Sequence, residues 1–150
     1  MEQRTVLVTG GTCVIGTAIC RRFMTRNVVP AMLDRTYGRI ISISSINGRK
    51  GQFEQCNYAA SKAALFGFTK SLALEIASKV ITVNTISQGY IETPMISGMR
   101  EDVLNSIIAA IPVARLGKPD EIADAIAFLA SPATSFITGA NIDINGGQYM

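Results

Sequence analysis

The sequence contains no histidine among its 150 residues. This absence excludes Ser-His catalytic triads and most zinc sites, so no metal is expected, and any proton transfer has to use tyrosine, lysine, serine or carboxylate side chains. The three cysteines, Cys13, Cys20 and Cys56, form neither a CxxC pair nor a metal-binding spacing. Their odd number favours reduced thiols in a reducing compartment, which we expect to be the cytoplasm.

Long apolar runs and concentrated positive charge are also missing. Nowhere do about eighteen apolar residues follow one another, so neither a membrane span nor export is predicted. The net charge of +3 is spread along the chain without a basic stripe, which argues against a nucleic-acid partner. A hydrophobic content of 48% in a chain of this length predicts one domain, residues 1–150, with a sizeable core.

Tyr58 and Lys62 stand four residues apart near the start of an apolar stretch, Asn57–Lys79, that is predicted to be a buried helix capped by Asn57. This spacing places both side chains on one helix face, where an ammonium group favours the phenolate and makes Tyr58 a candidate general acid. By chance, such a pair should occur in roughly one chain of this composition in eight. Ser45 strengthens the interpretation, because it ends an apolar run that reads as a buried strand.

The remaining pattern alternates strands with helices and predicts an α/β fold: a Rossmann-like parallel sheet of about four strands with flanking helices. Ile46–Cys56 is interpreted as a loop, and further helices are expected at Ile96–Ala110 and Pro119–Ala130. The predicted strands are Thr5–Thr9, Arg39–Ser44, Val80–Ser87 and Ala140–Ile144.

A glycine-containing turn, Gly10–Gly16, follows the first strand and precedes a helix. Such a turn offers backbone N–H groups to a phosphate, although ordinary strand-to-helix turns also use glycine, and the motif alone does not decide between the two. The apolar stripe of the following helix changes face near Phe23–Met24, and Pro30 is expected to bend or end the helix. An irregular helix that is apolar on two sides is the alternative explanation for this change.

Taken together, these motifs resemble the short-chain dehydrogenase/reductase family, and within it the acetoacetyl-CoA reductases and 3-oxoacyl-carrier-protein reductases. The resemblance covers most of the chain. The segments that carry it are Thr9–Cys20, Gly38–Ser45, Gly51–Ala64, Thr82–Ser87, Ile111–Ala123 and Ile144–Met150.

The resemblance implies reduction of a 3-oxoacyl thioester, carried by coenzyme A or acyl-carrier protein, with NADPH as cofactor and NADH not excluded. It implies that Ser45 binds the substrate carbonyl, that Tyr58 is the acid, and that Lys62 lowers the pKa of Tyr58 and holds the nicotinamide ribose. It also implies a homo-oligomer. The implied acyl pocket consists of Gln52, Phe53, Gln55 and Tyr90, and the other implied cofactor contacts are Gly10, Thr12, Ile15, Gly16, Gly89, Ile91 and Thr93.

The chain departs from the family by lacking roughly a hundred residues after about Phe23, including the strands that bind adenosine. Val14 replaces a glycine and Gln88 a proline, both on cofactor loops. We therefore expect weak cofactor binding with little discrimination between NADPH and NADH. Three interpretations stay open: an active reductase, an inactive family member that acts as an interaction or assembly subunit, and a sequence from which an internal segment has been omitted.

Overall fold

The computed structural model describes residues 6–9 and 28–150, with the backbone alone for 6–9. Its centre is a parallel sheet in the order β1-β2-β3-β4. The predicted parallel sheet, with the first strand directly beside the second, is confirmed. The strands are β1 at Val6–Thr9, β2 at Gly38–Ser45, β3 at Ile81–Gln88 and β4 at Asn141–Ile144.

Among the described residues, helices lie between each strand and the next. Short 3-10 turns lie at Ala77–Lys79, directly after the helix that ends at Ile76, and at Pro132–Thr134, shortly after the helix that ends at Ala130. The helices of the described residues are α1 at Val29–Asp34, α2 at Ile46–Lys50, α3 at Cys56–Ile76, α4 at Pro94–Ser97, α5 at Glu101–Ala109 and α6 at Pro119–Ala130.

The core lies on both faces of the sheet, because successive residues of β2 point to opposite sides. Ile40 packs with Met32 of α1 and Leu72 of α3 on one face. Ile41 packs with Leu129 of α6 on the other. The sheet is thus covered by helices on both faces, as expected for parallel strands joined by helical crossovers.

Helix α3 is apolar on more sides than the sheet can cover. Leu65, Thr69, Leu72 and Ile76 recur every three or four residues and are buried. Leu74, in contrast, is 87% exposed. The sequence prediction of a helix that is apolar nearly all round is therefore confirmed, and the fold of one subunit leaves part of that surface open.

Two local predictions were wrong. The loop Ile46–Cys56 contains α2, which forms because Ser45 caps it. Asn57 does not cap α3, since the helix already begins at Cys56. Pro30 lies in the first turn of α1, where its fixed φ and missing N–H are tolerated. The helix that Pro30 was predicted to bend or end, and the change of apolar face at Phe23–Met24, lie outside the described residues.

Among residues 28–150, no helix combines the length and apolarity needed to cross a membrane. The same part of the chain contains no cluster of three histidine, cysteine or acidic side chains that could hold a metal ion.

Candidate active site

Ser45 lies at the carboxyl end of β2, directly opposite Gln88 at the end of β3. It is also the N-cap of α2, where its Oγ accepts a hydrogen bond of 3.1 Å from the backbone N–H of Asn47. Because a hydroxyl group has one donor and two acceptor sites, this bond leaves the Ser45 hydrogen free. Ser45 can therefore donate to a carbonyl oxygen in front of the sheet.

Tyr58 and Lys62 lie on one face of the first turns of α3, as their spacing predicts. The Lys62 Nζ is 5.6 Å from the centroid of the Tyr58 ring. This Nζ donates a hydrogen bond of 2.9 Å to the Ile43 carbonyl of β2, and the residue is only 4% exposed. Burial lowers the pKa of the Lys62 ammonium from its ordinary value, because the charged form loses hydration.

The end of β2 and helix α2 both contact the backbone of α3 at Lys62. The Ser44 Oγ donates a hydrogen bond of 2.9 Å to the Lys62 carbonyl. Gly48 approaches so closely that a Cβ built on it would lie 2.8 Å from the Lys62 Cβ and 2.9 Å from its carbonyl carbon. Ser44 of β2 and Gly48 of α2 thus position Lys62 close to Ser45, which ends the one element and caps the other.

A cleft of about 870 Å³ opens in front of these elements. Ser45 and Tyr58 line it, whereas Lys62 is not among its lining residues and is buried behind them. The other predicted site residues on its wall are Gln55, Gly89, Tyr90, Ile91 and Thr93.

Two predicted acyl-pocket residues, Gln52 and Phe53, do not line the cleft. They lie before α3, and Phe53 is 85% exposed. The predicted phosphate-turn contacts at Gly10, Thr12, Ile15 and Gly16 lie outside the described residues, as does Val14.

The loop after β3 is held in place by its contact with Gly117. Ile91 pairs with Gly117, whose missing side chain lets the two segments meet, since a Cβ there would lie 2.7 Å from the Ile91 Cδ1. Next to it, Arg115 donates two hydrogen bonds of 2.6 and 2.8 Å to Glu121. These bonds, together with the N–H of Lys118, lower the pKa of the Glu121 carboxyl to about 2. The Tyr90–Ile91 wall of the cleft therefore has a fixed support.

Sequence reasoning missed several lining residues. Met95, Ile96 and Met99 form an apolar wall on α4 and the residues after it. Asn47, on α2, is 8% exposed and also lines the cleft. Asn47 was not identified as a site residue because Ile46–Cys56 was interpreted as a loop. The serines at the end of β2 are a helix N-cap signal from which α2 could have been predicted.

A family model described as Enoyl-(Acyl carrier protein) reductase matches residues 18–148. The acetoacetyl-CoA reductase of Allochromatium vinosum is 58% identical over 127 residues, which are 85% of this chain and 52% of that protein. The corresponding enzyme of Cupriavidus necator is 52% identical over 138 residues, 91% of this chain and 56% of the relative. The 3-oxoacyl-(acyl-carrier-protein) reductase FabG of Vibrio cholerae is 46% identical over 127 residues, 85% of this chain and 52% of that protein.

Among solved structures, the 3-oxoacyl-(acyl-carrier protein) reductase of Brucella melitensis superposes with a TM-score of 0.82 at 40% identity. The match covers 90% of this chain and 49% of that one. The chain thus spans about half the length of the relatives that it matches. The matched sequence and the parallel sheet agree, and the chain belongs to the short-chain dehydrogenase/reductase family.

Proposed function

We propose that this chain is an oxidoreductase that reduces the ketone of a 3-oxoacyl thioester to the 3-hydroxyacyl thioester. The observation that carries the proposal is that Ser45 and Tyr58 line one cleft while the Lys62 ammonium lies 5.6 Å from the tyrosine ring. Reduction adds a hydride to the carbonyl carbon and a proton to its oxygen. Ser45 holds that oxygen by its free hydroxyl hydrogen, and Tyr58 donates the proton.

Lys62 acts on Tyr58 through its charge. An ammonium group beside a phenol stabilises the phenolate that remains after the proton has left. The Ile43 carbonyl fixes the position of this ammonium group, and the rigid strand and helix keep the three groups in register. Much of the rate enhancement therefore comes from orientation in addition to acid catalysis.

The substrate class is supported by the relatives named acetoacetyl-CoA reductase and 3-oxoacyl-carrier-protein reductase. It is also supported by the cleft itself, whose lining contains the apolar side chains of Met95, Ile96 and Met99 as well as polar groups such as Gln55. An acyl chain fits the apolar part and carbonyl oxygens fit the polar part. The thioester is carried by coenzyme A or by acyl-carrier protein.

NADPH is the proposed cofactor, with NADH as the second possibility, and when bound it supplies the hydride. The fit of the described residues to a nicotinamide rests on Ile91 and Thr93, which line the cleft. Lys62, implied by the family resemblance to hold the nicotinamide ribose, makes one hydrogen bond to Ile43 and lies behind the cleft wall, 4% exposed. Because the family's adenosine-binding strands are missing from this sequence, affinity should be low.

Substitution of Tyr58 by phenylalanine tests the proposal. The ring packing survives in Tyr58→Phe and only the proton donor is lost, so turnover of acetoacetyl-CoA with NADPH should fall about 10²- to 10⁴-fold while circular dichroism is unchanged. Tyr37→Phe is the matched control, since Tyr37 lies outside the cleft and its hydroxyl makes only a 3.5 Å contact with the Ala130 carbonyl. Turnover retained in Tyr58→Phe would refute the assignment.

A second proposed function is assembly, either with copies of this chain or as an inactive partner of longer family members. The exposed face of α3 supports it, because small residues at Ala60, Ala63 and Gly67 lead to the exposed Leu74. A Cβ on Gly67 would meet no other atom within 4 Å, so the subunit's own packing does not require glycine there. We infer a homo-oligomer that buries this face, with an assembly role alone if the chain proves inactive.

A further inference from the structure

Asn47 makes hydrogen bonds with two other residues that line the cleft, Ser45 and Gln55. It is the second residue of α2, and its backbone N–H bonds the Ser45 Oγ at 3.1 Å. Its side-chain Nδ2 donates a hydrogen bond of 2.9 Å to the Oε1 of Gln55, just before α3. A single buried residue therefore contacts both the candidate carbonyl-binding serine and the amide at the start of the catalytic helix.

Only one of the two polar atoms of the Asn47 side-chain amide has a hydrogen-bond partner among the described residues. Its Nδ2 is bonded to Gln55, whereas its Oδ1 is buried without a hydrogen-bond partner among the described residues. An asparagine kept only to stabilise the fold would be expected to have both amide atoms paired, because an unpaired buried acceptor is costly. The contact that this side chain does make is directed at Gln55, a residue of the cleft wall.

The bond from Asn47 also decides which atom of Gln55 remains available. With Oε1 occupied, the unpaired group of the Gln55 amide is Nε2, which makes no hydrogen bond to a described residue and is a pure donor. A 3-oxoacyl thioester has two carbonyl oxygens. Ser45 and Tyr58 account for the ketone oxygen, so the thioester oxygen still needs a donor.

We propose that Asn47 is a positioning residue that orients the Gln55 amide so that its Nε2 donates a hydrogen bond to the thioester carbonyl of the substrate. This inference rests on the proposed function, because it assumes that the cleft binds a 3-oxoacyl thioester. Asn47 does not touch the substrate carbonyl in this arrangement. It acts through Gln55 and sets the recognition of the acyl group.

The test is a double-mutant cycle on acyl binding, measured by titration calorimetry with acetoacetyl-CoA and with free coenzyme A. Asn47→Leu and Gln55→Leu should each weaken acetoacetyl-CoA binding by about tenfold, and the double variant should bind about as weakly as Gln55→Leu alone. Coenzyme A, which lacks the ketone and thioester carbonyls of the acyl group, should bind all variants within about twofold of the original affinity. Asn105→Leu, on the exposed surface of α5, is the matched control and should change neither affinity.

Asn47→Asp is a second variant that keeps the size and polarity of the side chain and places an acid in the first turn of a helix, where it is tolerated. A carboxylate only accepts hydrogen bonds, so Gln55 must reverse its amide and present Oε1 to the cleft. Acetoacetyl-CoA binding should then fall by about tenfold or more while coenzyme A binding is retained.

Additive losses in the cycle, or an equal loss for acetoacetyl-CoA and coenzyme A, would overturn the role of Asn47. A chain that binds acetoacetyl-CoA no better than coenzyme A would overturn it as well. Turnover of the unsubstituted protein is measured separately. Coupled acyl binding without turnover would refute the proposed reductase and leave the role of Asn47 standing.

Discussion

The close contact between α2 and α3 can be probed by a single methyl group. In Gly48→Ala, the new Cβ would lie 2.8 Å from the Lys62 Cβ and 2.9 Å from the Lys62 carbonyl carbon. The latter is a backbone atom, so a change of side-chain rotamer cannot relieve the clash. One helix must move away from the other.

The size of the effect follows from two opposing contributions. Ordinary contact begins at about 3.4 Å, so the 2.8 Å separation must grow by about 0.6 Å. Overpacking of this kind costs about 1–3 kcal/mol. Alanine in place of a helical glycine returns about 1 kcal/mol. We expect a net loss of stability of about 1 kcal/mol.

The effect on turnover should be larger than the effect on stability. Ser45 caps the helix that has to move, and Lys62 lies at the contact itself, so the displacement changes the spacing between the carbonyl-binding hydroxyl and the proton donor. A displacement of 1 Å can cost about 10²-fold in rate, and a shift of this size should lower kcat by about tenfold.

Urea unfolding and steady-state kinetics measure both effects. Asn105→Ala on the exposed surface of α5 is the control, because the substitution changes helix propensity without a new contact at the site. That variant should raise the free energy of unfolding by about 0.5 kcal/mol and leave kcat unchanged. If Gly48→Ala behaves like Asn105→Ala, the packing of α2 against α3 does not position the site.

Two further predictions concern pH and assembly. Burial lowers the pKa of Lys62 in the folded chain below its ordinary value of 10.5. At pH values between the folded and the unfolded pKa, the unfolded chain binds more protons than the folded chain, so the free energy of unfolding rises with pH. In urea unfolding at alkaline pH, the free energy of unfolding of Lys62→Met should not show this rise. A difference in unfolding free energy between Lys62→Met and the unsubstituted protein that stays constant with pH would contradict the prediction. On the assembly face, Leu74→Arg should lower the mass found by light scattering at micromolar concentration. Val103→Arg on α5 should not lower it, and an unsubstituted protein that is already monomeric would refute the oligomer.

The sheet was predictable because its signals are local. Each buried strand reads as an apolar run, and parallel strands bring their carboxyl ends to one edge. Ser45 and Tyr58 could therefore be assigned to one site before any distance was known. The four-residue spacing fixed the relation between Tyr58 and Lys62 in the same way, since helical geometry leaves little freedom over one turn.

The contacts that hold the site together were not predictable, because they join distant residues through single atoms. Ser44 bonds the Lys62 carbonyl and Asn47 bonds Gln55, and neither contact has a periodic signal. Arg39 shows the same limit elsewhere. It is the second residue of the apolar-rich strand β2, yet it is fully buried, with its guanidinium bonded to the carbonyls of Val80 and Ser131. Only the fold brings these carbonyls together.

In the proposed function, proton donation and binding of the adenosine half of the cofactor depend on different parts of the sheet. The serine, tyrosine and lysine are held by β2, β3, α2 and α3, which pack against one another within the described residues, and β2 and β3 also pack against α6. Their geometry is supported by contacts within the described residues. Under the proposed function, cofactor affinity depends instead on the adenosine-binding segment whose absence the family resemblance implies. The proposed site geometry can therefore be retained while nucleotide affinity is lost, and weak activity in this chain would point first to unfilled cofactor sites.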